Sequence, residues 1–265
     1  MPSNDLLITD RNQIRKAWEK TENDVNKDIQ IIKEWLQTQK HLPEIPTDNM
    51  IEFFLVNCKF SIEKTKQTLD MYYTVPNLVP DLYKNINPCT SDVDIAYKTA
   101  NFVCIPVLTP SLHRLTVCQY KDSEDGSVSK LSAHCLRNVY EIRIHEDLSM
   151  GEIYLVDCER VKFSVIAKIT PLLLKQIAFV LEVYSHKSLD ELLEHLPLDV
   201  LPSDFGGKQK SCEELAELWK KKMFEYKDRF DKLETLQVTE ELRPEKLEND
   251  ELLGYYGNFK KIDTD

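Results

Sequence analysis

Nowhere in the 265 residues is there an apolar run approaching the roughly 18 residues needed to span a bilayer. That excludes a simple membrane-spanning helix. Seven cysteines are present, an odd number, and no C-x-x-C occurs among them. Neither a disulfide framework nor a zinc site is therefore expected, and the usage points to a reducing compartment. The six histidines form no H-x-x-x-H pair, so no metal is expected. The six glycines form no phosphate loop: Phe205-Gly206-Gly207-Lys208 lacks the preceding strand and the glycine spacing. The stretch Met1-Pro2-Ser3-Asn4-Asp5 has no basic region followed by an apolar one, so no signal peptide is expected. A cytoplasmic protein without a cofactor is the resulting expectation. Net positive charge is also missing. The formal charge is -11, and the sequence pI is ≈ 5.1. Such a chain is a poor general binder of nucleic acid, which needs clustered Lys and Arg to displace counterions.

With 42% hydrophobic residues the chain can bury a core, and its length suits one or two domains. Gly151-Glu152-Ile153-Tyr154-Leu155-Val156-Asp157 reads as a strand buried on both faces. Helical patterns flank it, which argues for an α/β layer. Residues 11–40 read as one helix, with Val25, Ile29, Ile32 and Leu36 at helical spacing. Thr47 or Asp48 caps a second helix through Val56. Ser61 opens a third, which Pro76 and Pro80 end. These helices make a helical N-terminal unit over 1–85.

Beyond a polar connector, Phe102 to Leu108 reads as extended, with Pro106 demoting it to an edge or irregular strand. Leu115 to Tyr120 alternates as a better strand, and Ser127 to Asp147 is helical with Leu131, Cys135, Val139 and Ile142 on one face. Thr170-Pro171 starts another helix. Capping boxes at Ser188–Glu191 and Ser211–Glu214 open two more. The second of these carries Leu215, Leu218, Trp219, Met223, Tyr226 and Phe230 as its buried stripe. Asp204-Phe205-Gly206-Gly207 is a tight turn between them. The aromatic tail from Leu252 to Phe259 is expected to dock back on the body.

In that order, several stretches resemble the CRAL-TRIO lipid-binding family, the group of alpha-tocopherol transfer protein and cellular retinaldehyde-binding protein. They are Asn57 to Phe60, Gly151 to Asp157, Ile169-Thr170-Pro171, the Leu196 to Gly207 ending and Gly254 to Ile262. The resemblance implies a helical N-terminal unit (1–85), a CRAL-TRIO-type α/β domain with a mostly parallel sheet (95–209), and a C-terminal helix and docking tail (210–265). It implies binding and transfer of a hydrophobic small-molecule ligand (a tocopherol, retinoid or phospholipid), phosphatidylinositol bisphosphate binding, and transient contact with membranes. Leu181-Glu182 runs directly into Val183-Tyr184-Ser185-His186, so the family's next strand and gate helix look absent. Phe54-Leu55-Val56-Asn57-Cys58 stands where the family often has arginines for a phosphoinositide headgroup.

By the same resemblance, His134 and Asn138, one helical turn apart, face the ligand cavity and orient a hydroxyl or carbonyl there. A surface pair or local bonding is the alternative for both. Tyr154 and Val156 share one face of their strand, opposite Ile153 and Leu155. One pair lines a pocket, or both are core packing. Asp157 at the strand's end either is catalytic or caps the next turn. Cys158 has only Arg160 as a basic neighbour, which argues against a nucleophilic thiol. Lys220-Lys221-Lys222 reads as a solvated helix face. Two functions follow as expectations: a non-enzymatic lipid carrier, and a ligand-free interaction module left by the shortened fold.

Overall fold

A computed structural model describes residues 6–78, 80–83, 87–88, 97–121, 128–157, 159–160 and 189–245. The expected helix at Thr170-Pro171, the strand at Val183 to His186, the Cys158 thiol and the aromatic tail lie outside these residues.

The N-terminal unit is helical. It comprises α1 (Arg11–Ala17), α2 (Glu22–Thr38), α3 (Asp48–Asn57), α4 (Ile62–Leu78) and the short α5 (Pro80–Tyr83). The single helix expected over 11–40 is two. Glu19 adopts φ 54, and Thr21 and Asp24 form a reciprocal capping box that starts α2 afresh. Thr47 caps α3 by accepting from the Met50 amide. Helix α4 runs through Pro76 instead of ending there. Helices α2, α3 and α4 each pack on the other two. Most of α3 is buried, from Met50 through Val56, because it lies inside that triangle and against the sheet-side helix.

A three-stranded sheet follows: β1 (Ala100–Leu108), β2 (His113–Tyr120) and β3 (Gly151–Asp157), in that spatial order. The long α6 (Val128–Glu146) connects β2 to β3. The sheet is mixed, which corrects the mostly parallel expectation. β1 and β2 pair antiparallel, and β2 and β3 pair parallel. The reason lies in the connections. Only Thr109 to Leu112 separate β1 from β2, enough for a hairpin but not for a parallel crossover. Leu112 takes φ 61 to close it. Pro106 sits at a register shift between Cys104 and Leu108, the position at which a residue without an N–H is tolerated.

Strand β3 is half-buried rather than buried on both faces. Ile153 and Leu155 pack on the core, while Tyr154 and Val156 are 40% and 50% exposed. Among the described residues it is an outer strand of the sheet.

From residue 189 the chain adds α7 (Leu189–Leu193), two short 3-10 turns, α8 (Cys212–Glu225), α9 (Lys227–Thr235) and a third 3-10 turn at Glu240–Leu242. Ser211 and Glu214 form the expected capping box. The long stripe bends at Tyr226, where α8 gives way to α9.

Two cores result. One lies between the sheet, α6 and α8 and holds Val103, Val117, Cys135, Ile142 and Trp219. The Trp219 indole N–H donates to the Cys104 carbonyl at 3.0 Å, so its one polar atom is satisfied. The other joins α1 to α4 with Ile144 at the end of α6 and Leu148 just beyond it. Helix α6 therefore serves both cores, and the helical unit is built onto it.

Candidate functional site

Where α6 and the helical unit meet, the packing leaves an open groove of ≈ 510 Å³. One wall is α4, with Thr68, Met71, Tyr72 and Val75, backed by Phe54 of α3. The opposite wall is α6, with Arg137, Tyr140 and Glu141. Tyr83 of α5 and Tyr154 of β3 complete the lining. Spacing explains the two walls: Thr68, Met71, Tyr72 and Val75 fall on one face of α4, as do Arg137, Tyr140 and Glu141 on α6. The volume lies within the ~300–1,000 Å³ typical of ligand sites.

Glu141 is buried and fully engaged. It accepts both oxygens' worth of contact from the Tyr72 hydroxyl, at 2.9 and 2.7 Å. The Arg229 Nε donates to it at 2.9 Å, and His145 Nε2 lies at 3.3 Å. Burial pushes its pKa up. The His145 hydrogen bond, the Arg229 charge and the Tyr72 hydroxyl outweigh that and hold the carboxyl down at about 2. Arg229 also donates to Glu44 at 2.6 Å, which ties α9 to the loop before α3.

Arg137 is the opposite case. Its guanidinium carbon lies 3.9 Å from the Tyr83 ring centroid. Its Nε is buried with no hydrogen-bond partner. Among the described residues no carboxylate pairs with it. Burial pulls its pKa down, against the attraction of Tyr83, Glu141 and Tyr72.

The structure separates the residues singled out from the sequence. Tyr154 lines the groove, and burial raises its hydroxyl to about 12. Val156 is exposed on the same strand face but does not line the groove. Asn138 is fully buried, and neither its Nδ2 nor its Oδ1 has a partner. The backbone of His134 is in α6, and its side chain lies outside the description. Asp157 caps a turn by accepting from the Glu159 amide at 3.0 Å. The lysine run is not wholly solvated: Lys222 is buried and pairs with Glu146 at 2.7 Å. The five cysteines described are free thiols. Burial pushes the Cys135 thiol up to about 12, which makes it a poor nucleophile. Arg137, Tyr72 and Glu141 were missed by the sequence reading, since their meeting depends on how α4 docks on α6.

Residues 21–93 match a family model described as Pinta-like, UBA domain. The matched stretch contains α2 to α5 and six groove residues, Phe54, Thr68, Met71, Tyr72, Val75 and Tyr83. No curated protein matches the chain.

That match corrects the CRAL-TRIO resemblance. The helical unit is matched as a ubiquitin-associated type of domain, not as the front of a lipid carrier. With the resemblance go the functions drawn from it: tocopherol, retinoid or phospholipid transfer, phosphatidylinositol bisphosphate binding, and a hydrophobic small molecule as partner. The motifs misled because each is short, and an acidic amphipathic helix after a capped turn serves either kind of unit. Among the described residues no helix is long and apolar enough to cross a membrane.

Proposed function

We propose that the protein is a non-enzymatic interaction module, and that its helical unit docks a protein partner of the ubiquitin class. The observation that carries this reading is the match of residues 21–93 to a ubiquitin-associated domain family. Three features support it. Helices α2, α3 and α4 form a mutually packed triangle, a rigid platform for docking. The unit exposes large apolar side chains, Ile31 on α2, Ile45 before α3 and Leu78 at the end of α4, which suit the apolar centre of an interface. The net charge of -11 suits a partner with a basic surface. In this reading the protein works in the cytoplasm, to which the unpaired cysteine usage points.

The division into 1–85, 95–209 and 210–265 is kept as a proposal, with the second and third parts acting as a scaffold. Titration calorimetry of mono-ubiquitin into the full chain tests the reading. Saturable one-to-one heat that Ile31→Asp or Leu78→Asp weakens is the expected result. Absence of heat at millimolar ubiquitin, with the fold intact by circular dichroism, would remove it.

A further inference from the structure

From the chemistry of the groove between α4 and α6 we infer a binding site for an acidic peptide, one carboxylate flanked by large apolar side chains. The inference rests on the protein-docking reading above and names a second surface for it. Arg137 carries the argument. An arginine that lines an aromatic groove, with no carboxylate hydrogen-bonded to it among the described residues, holds a charge whose desolvation is offset only in part, by Tyr83, by Tyr72 and by a Glu141 already paired with Arg229. Its stacking on Tyr83 fixes the guanidinium plane, so little side-chain freedom is lost when an anion pairs with it. Nearby Arg229 does not share this role, because Glu141 and Glu44 already occupy it.

The rest of the groove selects what travels with the carboxylate. Tyr72, Tyr140, Tyr154 and Met71 offer ring faces and a deformable thioether, which favour aromatic and aliphatic side chains. The charge state is selected too. Glu141 in the same lining is already matched by Arg229, so Arg137 is left to balance one negative charge, and a doubly charged phosphate would bring more than it offsets. A peptide fits better than a free small acid, because the groove is open to solvent and its apolar lining extends along two helices.

Fluorescence anisotropy on the full chain tests the site with three labelled twelve-residue peptides of leucine and tyrosine. They carry one central glutamate, glutamine or phosphoserine. The wild type is expected to bind the glutamate peptide at least about tenfold tighter than the glutamine twin, the scale of one charge-assisted pair. Arg137→Gln should abolish that preference, and Arg137→Lys should restore part of it. Tyr154→Ala, at an exposed rim position, should weaken both peptides and keep the preference. It serves as the second variant if Arg137→Gln fails to fold. Equal binding of the two peptides, no binding of either, a preference that survives Arg137→Gln, or tighter binding of phosphoserine would each overturn the proposal. A chain that binds ubiquitin but ignores the glutamate leaves the docking reading standing and sinks this site. Glutamate preference without ubiquitin binding does the reverse.

Discussion

The Glu141 carboxyl sits among Tyr72, His145 and Arg229, and its charge is part of what holds α4, α6 and α9 together. Its pKa is lowered from 4.5 to about 2. A lowered carboxyl stabilises the fold above its unfolded pKa and stops doing so as pH falls through its folded one. The contribution, on the order of 3 kcal/mol, should therefore be present at neutral pH and fade between about pH 4.5 and 2. Chemical denaturation at stepped pH would read it. Glu141→Gln should flatten that part of the profile.

Two other residues have sharper consequences. Asp147 and Arg114 are fully buried and paired, with Arg114 Nε donating to Asp147 at 3.0 Å and Arg143 Nε at 2.9 Å. Asp147→Ala leaves two buried cations short of their shared anion, so a loss of about 3–5 kcal/mol is expected in urea unfolding. Gly207 is the second. A Cβ there would lie 1.9 Å from the Leu201 carbonyl oxygen, so Gly207→Ala should cost about 2–4 kcal/mol, read as a fall in Tm. The tight turn at Asp204 to Gly207 was legible in the sequence. The Asp147 cluster was not, because Arg114 comes from β2 while Arg143 and Asp147 lie at and just past the end of α6, and only the folded structure brings them together.

Elements were more legible than residues, and the reason is local. The capping box at Ser211–Glu214 acts within four residues, so sequence spacing carries it; the one at Thr21–Asp24 was passed over when residues 11–40 were read as one helix, because its acidic partner is Asp where the common pattern has Glu or Gln. Thr21→Ala should destabilise the helical unit by about 1 kcal/mol, seen as a small fall in the denaturation midpoint. The strand at Gly151 to Asp157 was placed correctly and its burial was not. Strand pattern reports alternation, but how many layers cover a strand is a tertiary matter. Likewise Pro76 signals a helix end on local grounds, yet α4 continues through it, and its far end leads into α5 and so to Tyr83 at the groove. The groove itself needs three elements in register, which no single stretch of sequence encodes.

At the scale of the whole molecule, α6 is the part both cores share, with Cys135, Val139 and Ile142 in one and Ile144 leading the other. Ion pairs reinforce the joint. Arg229 of α9 reaches Glu44 and Glu141, and Arg243 reaches Asp70 of α4 at 2.7 Å. The helical unit is thus fastened on its inner side, so a docked protein must use its outward surface, where Ile31 is 46% exposed. The most direct measurement of that claim is a ¹H–¹⁵N NMR titration of the labelled full chain with unlabelled mono-ubiquitin. Saturable shifts are expected to cluster on α2 and the end of α4, around Ile31 and Leu78, with the buried amides of α3 unmoved. Shifts confined to the sheet and α8, or none at all, would contradict that claim.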